Sequence, residues 1–292
     1  MSDEQLHLPV EPPIRRRRLR KRMYLLPSMF TMGNILLGYW AISQALQGAL
    51  GEAMHFDNAA KAIGWAILLD MVDGLLARLT QTSSDFGREL DSLADVISFG
   101  VAPALLAWMW GFRSLPADSY ADLRFNLVRL GFVASFVFLI AGAARLARFN
   151  IQVNPQPSNP GRPGKKYFVG MPIPAGAGVI AAIVHFARGV PIAVWWLSLI
   201  WVSLMIAAAF LMVSTWRFYS FKELNVRSKH PFTIIVLVGV TIAAIGLFSR
   251  YTLFIIALTY MLSGVLVRLF YIVRRRGAHP SPPSYSQAPE AR

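Results

Sequence analysis

Asp70-Met71-Val72-Asp73-Gly74-Leu75-Leu76-Ala77-Arg78 is followed by eight residues and Gly87, by three more and Asp91, and by three more and Asp95. Four carboxylates therefore lie inside or beside two strongly apolar segments. A charged side chain at a bilayer centre costs about 2.5–3.5 kcal/mol on insertion scales, so four uncompensated acids would cost on the order of 10 kcal/mol. Arg78 and Arg88 can pair with only some of them, so something else must balance the charge.

The spacing indicates what. Asp70 and Asp73 are i,i+3, Asp91 and Asp95 are i,i+4, and each pair shares one helix face. The bridge from Leu79 to Phe86 holds Gln81, Thr82, Ser83, Ser84 and Asp85 and suits a cytosolic turn. Two antiparallel helices then bring the four carboxylates together. Hard oxygen ligands at close quarters suit Mg²⁺ or Mn²⁺. Two such ions a few Å apart would clamp a diphosphate for in-line displacement. Gly74, Ala77 and Gly87 are small where a ligand or a neighbouring backbone must approach, and Arg78 is placed to meet a phosphate.

Working outward, the composition belongs to a polytopic membrane protein. Of 292 residues, 55% are hydrophobic and 15% charged, which predicts an all-α, polytopic helical bundle. With no cysteine, disulfides and thiolate metal sites are excluded. The five histidines show no zinc spacing. The net charge of +14 comes from basic residues that flank apolar spans. That is explained by a positive-inside topology and anionic lipid, and nucleic acid is not expected as a partner. No P-loop, Rossmann fingerprint or nucleophile elbow occurs.

Eight apolar stretches approach the ~20 residues needed to span. They lie near 28–47, 57–78, 91–112, 126–147, 169–188, 191–213, 231–249 and 251–273. Short turns, Gly189-Val190-Pro191 and Ser249-Arg250-Tyr251, make hairpins of the fifth with the sixth and the seventh with the eighth. Basic residues concentrate at Arg15 to Arg22, Arg78 and Arg88, Arg145 to Lys166, Arg217 to Lys229 and Arg274 to Arg276. Both termini and the aspartate site are thereby expected on the cytosolic side of the cell (inner) membrane. Residues 1–25 read as a disordered arm ending in a basic juxtamembrane run, which is either an interfacial helix or a stop-transfer cluster. Residues 26–215 read as the catalytic membrane domain, 216–275 as a C-terminal hairpin and 276–292 as a disordered Pro/Ser tail.

Other residues add candidates. Thr31 and Asn34 are i,i+3 near the cytosolic end of the first span, where interhelical hydrogen bonding is the ordinary role of such side chains. Ser84 could donate to phosphate or cap the third helix. Arg145 and Arg148 are i,i+3 at the end of the fourth span. On pattern alone they anchor that end on the positive side, although a pair of guanidinium groups also suits a carboxylate or phosphate. Asn150 follows, and Lys165 and Lys166 close a Pro-rich loop from 150 to 168.

The aspartate string, D-x2-D-G-x2-A-R-x8-G-x3-D-x3-D, resembles the signature of the CDP-alcohol phosphotransferase family at every position. The run Arg145-Leu-Ala-Arg148-Phe149-Asn150, with Phe168-Val-Gly170-Met-Pro172-Ile-Pro174 after it, is similar to the branch of that family that makes phosphatidylserine. The resemblance implies that Asp70, Asp73 and Asp91 hold one metal and that Asp70, Asp91 and Asp95 hold the other, with Asp95 as general base. It also implies that Thr31, Asn34, Gly74, Ala77, Arg78, Ser84 and Gly87 contact CDP-diacylglycerol. It places Arg145, Arg148, Asn150, Lys165 and Lys166 around serine and implies a homodimer. The implied reaction moves the phosphatidyl group of CDP-diacylglycerol to the serine hydroxyl and releases CMP. Glycerol 3-phosphate, an inositol phosphate or choline are alternative acceptors. A carboxylate-lined carrier would show discontinuous helices or paired halves, and the sequence shows neither.

Overall fold

The computed structural model describes residues 14–80, 85–113, 115, 121–151, 167–219 and 231–276. Among these the chain is almost entirely helical: α1 (Ile14–Gly48), α2 (Ala53–Thr80), α3 (Asp85–Asp95), α4 (Ala102–Trp108), α5 (Ala121–Ile151), α6 (Ile173–Phe186), α7 (Trp195–Val213) and α8 (Pro231–Arg276). α3 and α4 form one continuous rod, joined by π-helical turns over Val96–Val101 and extended by another over Met109–Arg113. The basic residues from Arg15 to Arg22, expected in a separate arm, are the opening turns of α1.

Four stretches are long and apolar enough to cross a membrane: Phe86–Arg113, Asp122–Ile151, Trp195–Val213 and Val236–Val273. α1 and α2 occupy the first two expected spans without an uninterrupted apolar run. Thr31, Asn34, Gln44 and Gln47 dilute α1, and Asp57, Lys61, Asp70 and Asp73 break α2. The stretch expected near 169–188 is a shorter apolar helix, α6. Its first residues are diverted into a strand, and Gly170, at φ +76°, turns the chain where a side chain would be strained. The strands β1 (Tyr167–Val169) and β2 (Arg217–Tyr219) pair antiparallel, with Phe168 opposite Phe218. This small sheet departs from the purely helical expectation, and it joins two stretches that the sequence reading assigned to different domains.

α8 is helical except at Phe248, where φ is −133° and ψ is 43°. Thr252 Oγ1 donates to Ala244 O at 3.1 Å, eight residues back. In an unbroken helix eight residues rise about 12 Å, so the two halves of α8 fold sharply toward each other at Phe248. The turn expected at 249–251 is thus a one-residue break.

The core is built on small residues. Ala41 and Ala45 of α1 face Ala59, Ala62 and Ala66 of α2, all fully buried, which lets the two backbones approach. A Cβ on Gly38 would come within 2.9 Å of Ser98 Cα in the π-helical turn after Asp95. The same turn is tied to α1 by Ser98 Oγ, which donates to Asn34 O at 2.8 Å.

At the other end of the bundle, a polar cluster joins α2, α6 and α8. His185 meets Asp57 Oδ1 through Nδ1 at 2.5 Å and Ser249 Oγ through Nε2 at 3.1 Å, and Lys61 Nζ lies 2.8 Å from Asp57 Oδ2. Asp57 and His185 are both buried. Removing His185 leaves the buried carboxylate with Lys61 alone and one oxygen without its partner. His185→Ala is therefore expected to destabilise the detergent-solubilised protein by about 2 kcal/mol, read as a lowered thermal midpoint. An unchanged midpoint would show that the cluster contributes nothing to stability.

Candidate active site

The aspartates converge where α2 and α3 pack against α1. One carboxylate oxygen from each of Asp70, Asp91 and Asp95 lies within 4.8 Å of the others. Three carboxylates this close repel one another unless a cation or bound protons offset the charge. Asp95 Oδ1 is buried and has no hydrogen-bond partner. The oxygen donor set, the closeness and this bare acceptor all fit a divalent cation.

Asp73 stands beside this group. Its Oδ2 accepts from Thr31 Oγ1 at 2.9 Å, and both residues are buried. The hydroxyl fixes that carboxylate and leaves its second oxygen for other use. One turn along α1, Asn34 is 1% exposed, and neither its Oδ1 nor its Nδ2 has a partner. An unsatisfied buried amide costs about 1–3 kcal/mol per group, so this side chain is built to meet something. The Ser98 bond holds the Asn34 backbone and leaves the side chain uncommitted. The π-helical turn that positions Ser98 follows directly on Asp95, a common setting for such turns.

Gly74 faces open space, since a Cβ there would meet nothing within 4 Å. Gly87 lies on α3 one turn before Asp91. Ala77 and Arg78 belong to the last turn of α2, described here by its backbone alone. Ser84, Lys165 and Lys166 lie outside the described residues.

The arginines of α5 part company. Arg148 is committed: Nη1 donates to Val213 O at 2.9 Å and Nη2 to Ser214 O at 3.4 Å, closing the C-terminus of α7. Arg145 is buried, its Nε has no partner, and its guanidinium lies over the Phe149 ring at 5.8 Å. Asp95 lies within electrostatic reach of Arg145, alongside Asp70, Asp91 and Asp73. Arg145, Arg148, Phe149 and Val169 line a small cavity. Asn150 Nδ2 donates to Ser92 Oγ at 3.0 Å, so the end of α5 is tied to the helix that carries Asp91 and Asp95. Two residues escaped the sequence reading: Ser98, which fixes the Asn34 backbone, and Tyr260 of α8, which packs against the buried Phe218 of β2. Neither belongs to a spaced motif.

A carboxylate cluster at the meeting of α1, α2 and α3, within a bundle of apolar helices that also holds an unsatisfied buried amide, is a group that could hold a metal ion. Residues 24–200 match the family model of CDP-alcohol phosphatidyltransferases, and the chain belongs to that family. It is similar to the CDP-diacylglycerol–serine O-phosphatidyltransferase of Helicobacter pylori (strain ATCC 700392 / 26695), 33% identical over 258 residues, covering 86% of this chain and 94% of the relative. The enzyme of the same name from Bacillus subtilis is 35% identical over 164 residues, covering 56% of this chain and 77% of the relative. That from Saccharomyces cerevisiae is 36% identical over 159 residues, covering 54% and 52%.

Proposed function

We propose that the protein transfers the phosphatidyl group of CDP-diacylglycerol to the hydroxyl of L-serine and releases CMP. The observation that carries the chemistry is the convergence of Asp70, Asp91 and Asp95 beside the unsatisfied Asn34. The relatives' shared name supports the choice of substrates.

Asp70, Asp73 and Asp91 would hold one ion and Asp70, Asp91 and Asp95 the other. When bound, two Mg²⁺ or Mn²⁺ ions neutralise the diphosphate and stabilise charge on the phosphoryl oxygens. Thr31 and Asn34 face the nucleotide side, with Gly74, Ala77 and Gly87 leaving room for cytidine. Arg78 and Ser84 would meet the diphosphate, as the family motif implies. The serine oxygen forms a bond to the phosphorus that carries diacylglycerol as the bond from that phosphorus to the CMP oxygen breaks. Asp95 takes the hydroxyl proton as attack proceeds. No side chain of the motif forms a covalent intermediate.

Arg145 is the cation offered to the serine carboxylate; the family resemblance would add Arg148, Asn150, Lys165 and Lys166 to the acceptor's contacts. A choline acceptor would want a cage of aromatic faces, whereas Phe149 already has a guanidinium over one face. We further propose eight crossings, with α6 and both halves of α8 completing the set. The catalytic region would span residues 26–215, with 216–275 added as a hairpin. The termini and active site would face the cytosol across the cell membrane, as the basic loops require, and the chain would act as a homodimer.

Purified protein supplied with CDP-diacylglycerol and Mn²⁺ or Mg²⁺ is expected to release CMP fastest with serine in a panel that includes glycerol 3-phosphate, an inositol phosphate and choline. Faster release with any other acceptor at equal concentration would overturn the serine assignment.

A further inference from the structure

α1 meets the carboxylate site along one stripe. Thr31, Asn34 and Gly38 follow one another at i, i+3 and i+7, the spacing of a single helix face. Thr31 Oγ1 donates to Asp73 Oδ2 at 2.9 Å and ties the stripe to α2. One turn on, the Asn34 carbonyl accepts from Ser98 Oγ at 2.8 Å and ties it to the π-helical turn after Asp95. Gly38 makes room for that second tie. A Cβ there would collide with the Ser98 hydroxyl and stand 2.9 Å from Ser98 Cα. Ser98 is fully buried, so its hydroxyl has no water to bond instead.

The Asn34 amide belongs to the same stripe, 1% exposed and unpartnered at both Oδ1 and Nδ2. A buried amide left bare is stabilised only by a ligand that completes it. The ligand gains from it only if the amide waits in the right place, and a shift of about 1 Å is enough to lose most of that gain. A π-turn holds one residue more than an α-turn. The chain beyond Asp95 thus leaves the period that sets Asp91 and Asp95 on one face, and Ser98 meets α1. One hydroxyl therefore fixes α1, at the residue with the bare amide, to the turn that begins at the bare Asp95 carboxylate.

We propose that Ser98 is a positioning residue of the nucleotide site: its bond to the Asn34 carbonyl holds the Asn34 amide where the lipid nucleotide meets it. This rests on the reading of Asn34 as a contact of CDP-diacylglycerol given under Proposed function. Ser98 touches no substrate itself and acts through Asn34.

The test is the Kd for CDP-diacylglycerol, measured by filtration in detergent micelles with Mg²⁺ and no acceptor. Ser98→Ala removes one oxygen and is expected to weaken binding about five- to tenfold, the scale of one lost hydrogen bond. The control is built into the same rod. Ser198 Oγ donates to Gly111 O at 3.1 Å in the second π-helical turn, Met109–Arg113, and Ser198 is also fully buried. Ser198→Ala breaks the same kind of bond about 20 Å further along the rod. Both variants should lower the thermal midpoint by a few degrees, but Ser198→Ala should leave the Kd within about twofold. In an Asn34→Ala background, Ser98→Ala should change the Kd by less than about twofold, because residues acting through one another are not additive. An unchanged Kd in Ser98→Ala, an equal weakening in Ser198→Ala, or full additivity with Asn34→Ala would each overturn the proposal. If Ser98→Ala does not fold, Ser98→Cys keeps the volume with a weaker donor. It should weaken binding at least about threefold, and an unchanged Kd would overturn the proposal. Wild-type protein that does not bind CDP-diacylglycerol would overturn the proposed function and this inference with it. Wild-type binding that Ser98→Ala leaves untouched would overturn this inference alone.

Discussion

Asp91→Asn is expected to abolish CMP release, a loss of at least about a thousandfold, because several kcal/mol of charge stabilisation disappear with one carboxylate. The substitution is nearly isosteric and leaves the α2–α3 packing in place. Asp91 has oxygens of both Asp70 and Asp95 within 4.8 Å, so in metal-free buffer the variant loses repulsion and gains rather than loses stability. Its thermal midpoint in EDTA should equal or exceed that of the wild type. Mn²⁺ or Mg²⁺ should raise the midpoint of the wild type, by the linkage of binding to folding, and leave that of Asp91→Asn where it was. EDTA should silence the wild type as fully as the substitution does. Turnover that persists in EDTA would overturn the metal reading, whatever the midpoints show.

The two halves of that prediction were not equally legible in the chain. That Asp70, Asp91 and Asp95 would meet followed from helical spacing, because i,i+3 and i,i+4 pairs on two helices joined by a short polar bridge have few other arrangements. The apolar runs around 91–112, 126–147 and 191–213 gave three of the crossing helices directly. What the spacing could not carry were features set by contacts distant in sequence. The π-helical turn after Asp95 breaks the 3.6-residue period and is held by the approach of Gly38, some sixty residues earlier. The β1–β2 pairing joins residues about fifty apart, and three-residue strands have too little alternation to be read locally. The Asp57–His185–Ser249 cluster draws on three helices, each contributing one polar residue that looks incidental in its own segment. Arg148 shows the same limit from the other side. It shares a helix face with Arg145 and looked equivalent to it, yet it spends its donors on the carbonyls of Val213 and Ser214. Sequence spacing assigns side chains to a face, and tertiary packing then decides which of them is left for a ligand.

Asp95→Asn should separate the proton-transfer role from the metal role. Asp95 Oδ1 is buried and unpartnered, and its neighbours are the other carboxylates on one side and Arg145 on the other. In the reading proposed above, that places Asp95 between the carboxylates that would hold the ions and the cation that would hold the acceptor. If its main task is to take the hydroxyl proton, Asn in its place removes the acceptor for that proton and keeps the shape. The kcat should then fall by about 10²–10⁴, the usual worth of a positioned general base. Binding of CDP-diacylglycerol, measured by quenching or by filtration, should remain within about threefold, because on the proposed reading Asp70, Asp73 and Asp91 would still hold the nucleotide end. The Mn²⁺-dependent rise in thermal midpoint should shrink without vanishing, since Asp95 would serve only one of the two proposed ions whereas Asp91 would serve both. Normal turnover would exclude Asp95 from proton transfer. Loss of nucleotide binding along with the metal-dependent stabilisation would make Asp95 a ligand first, and the proton would then have to leave by way of water or the phosphate itself.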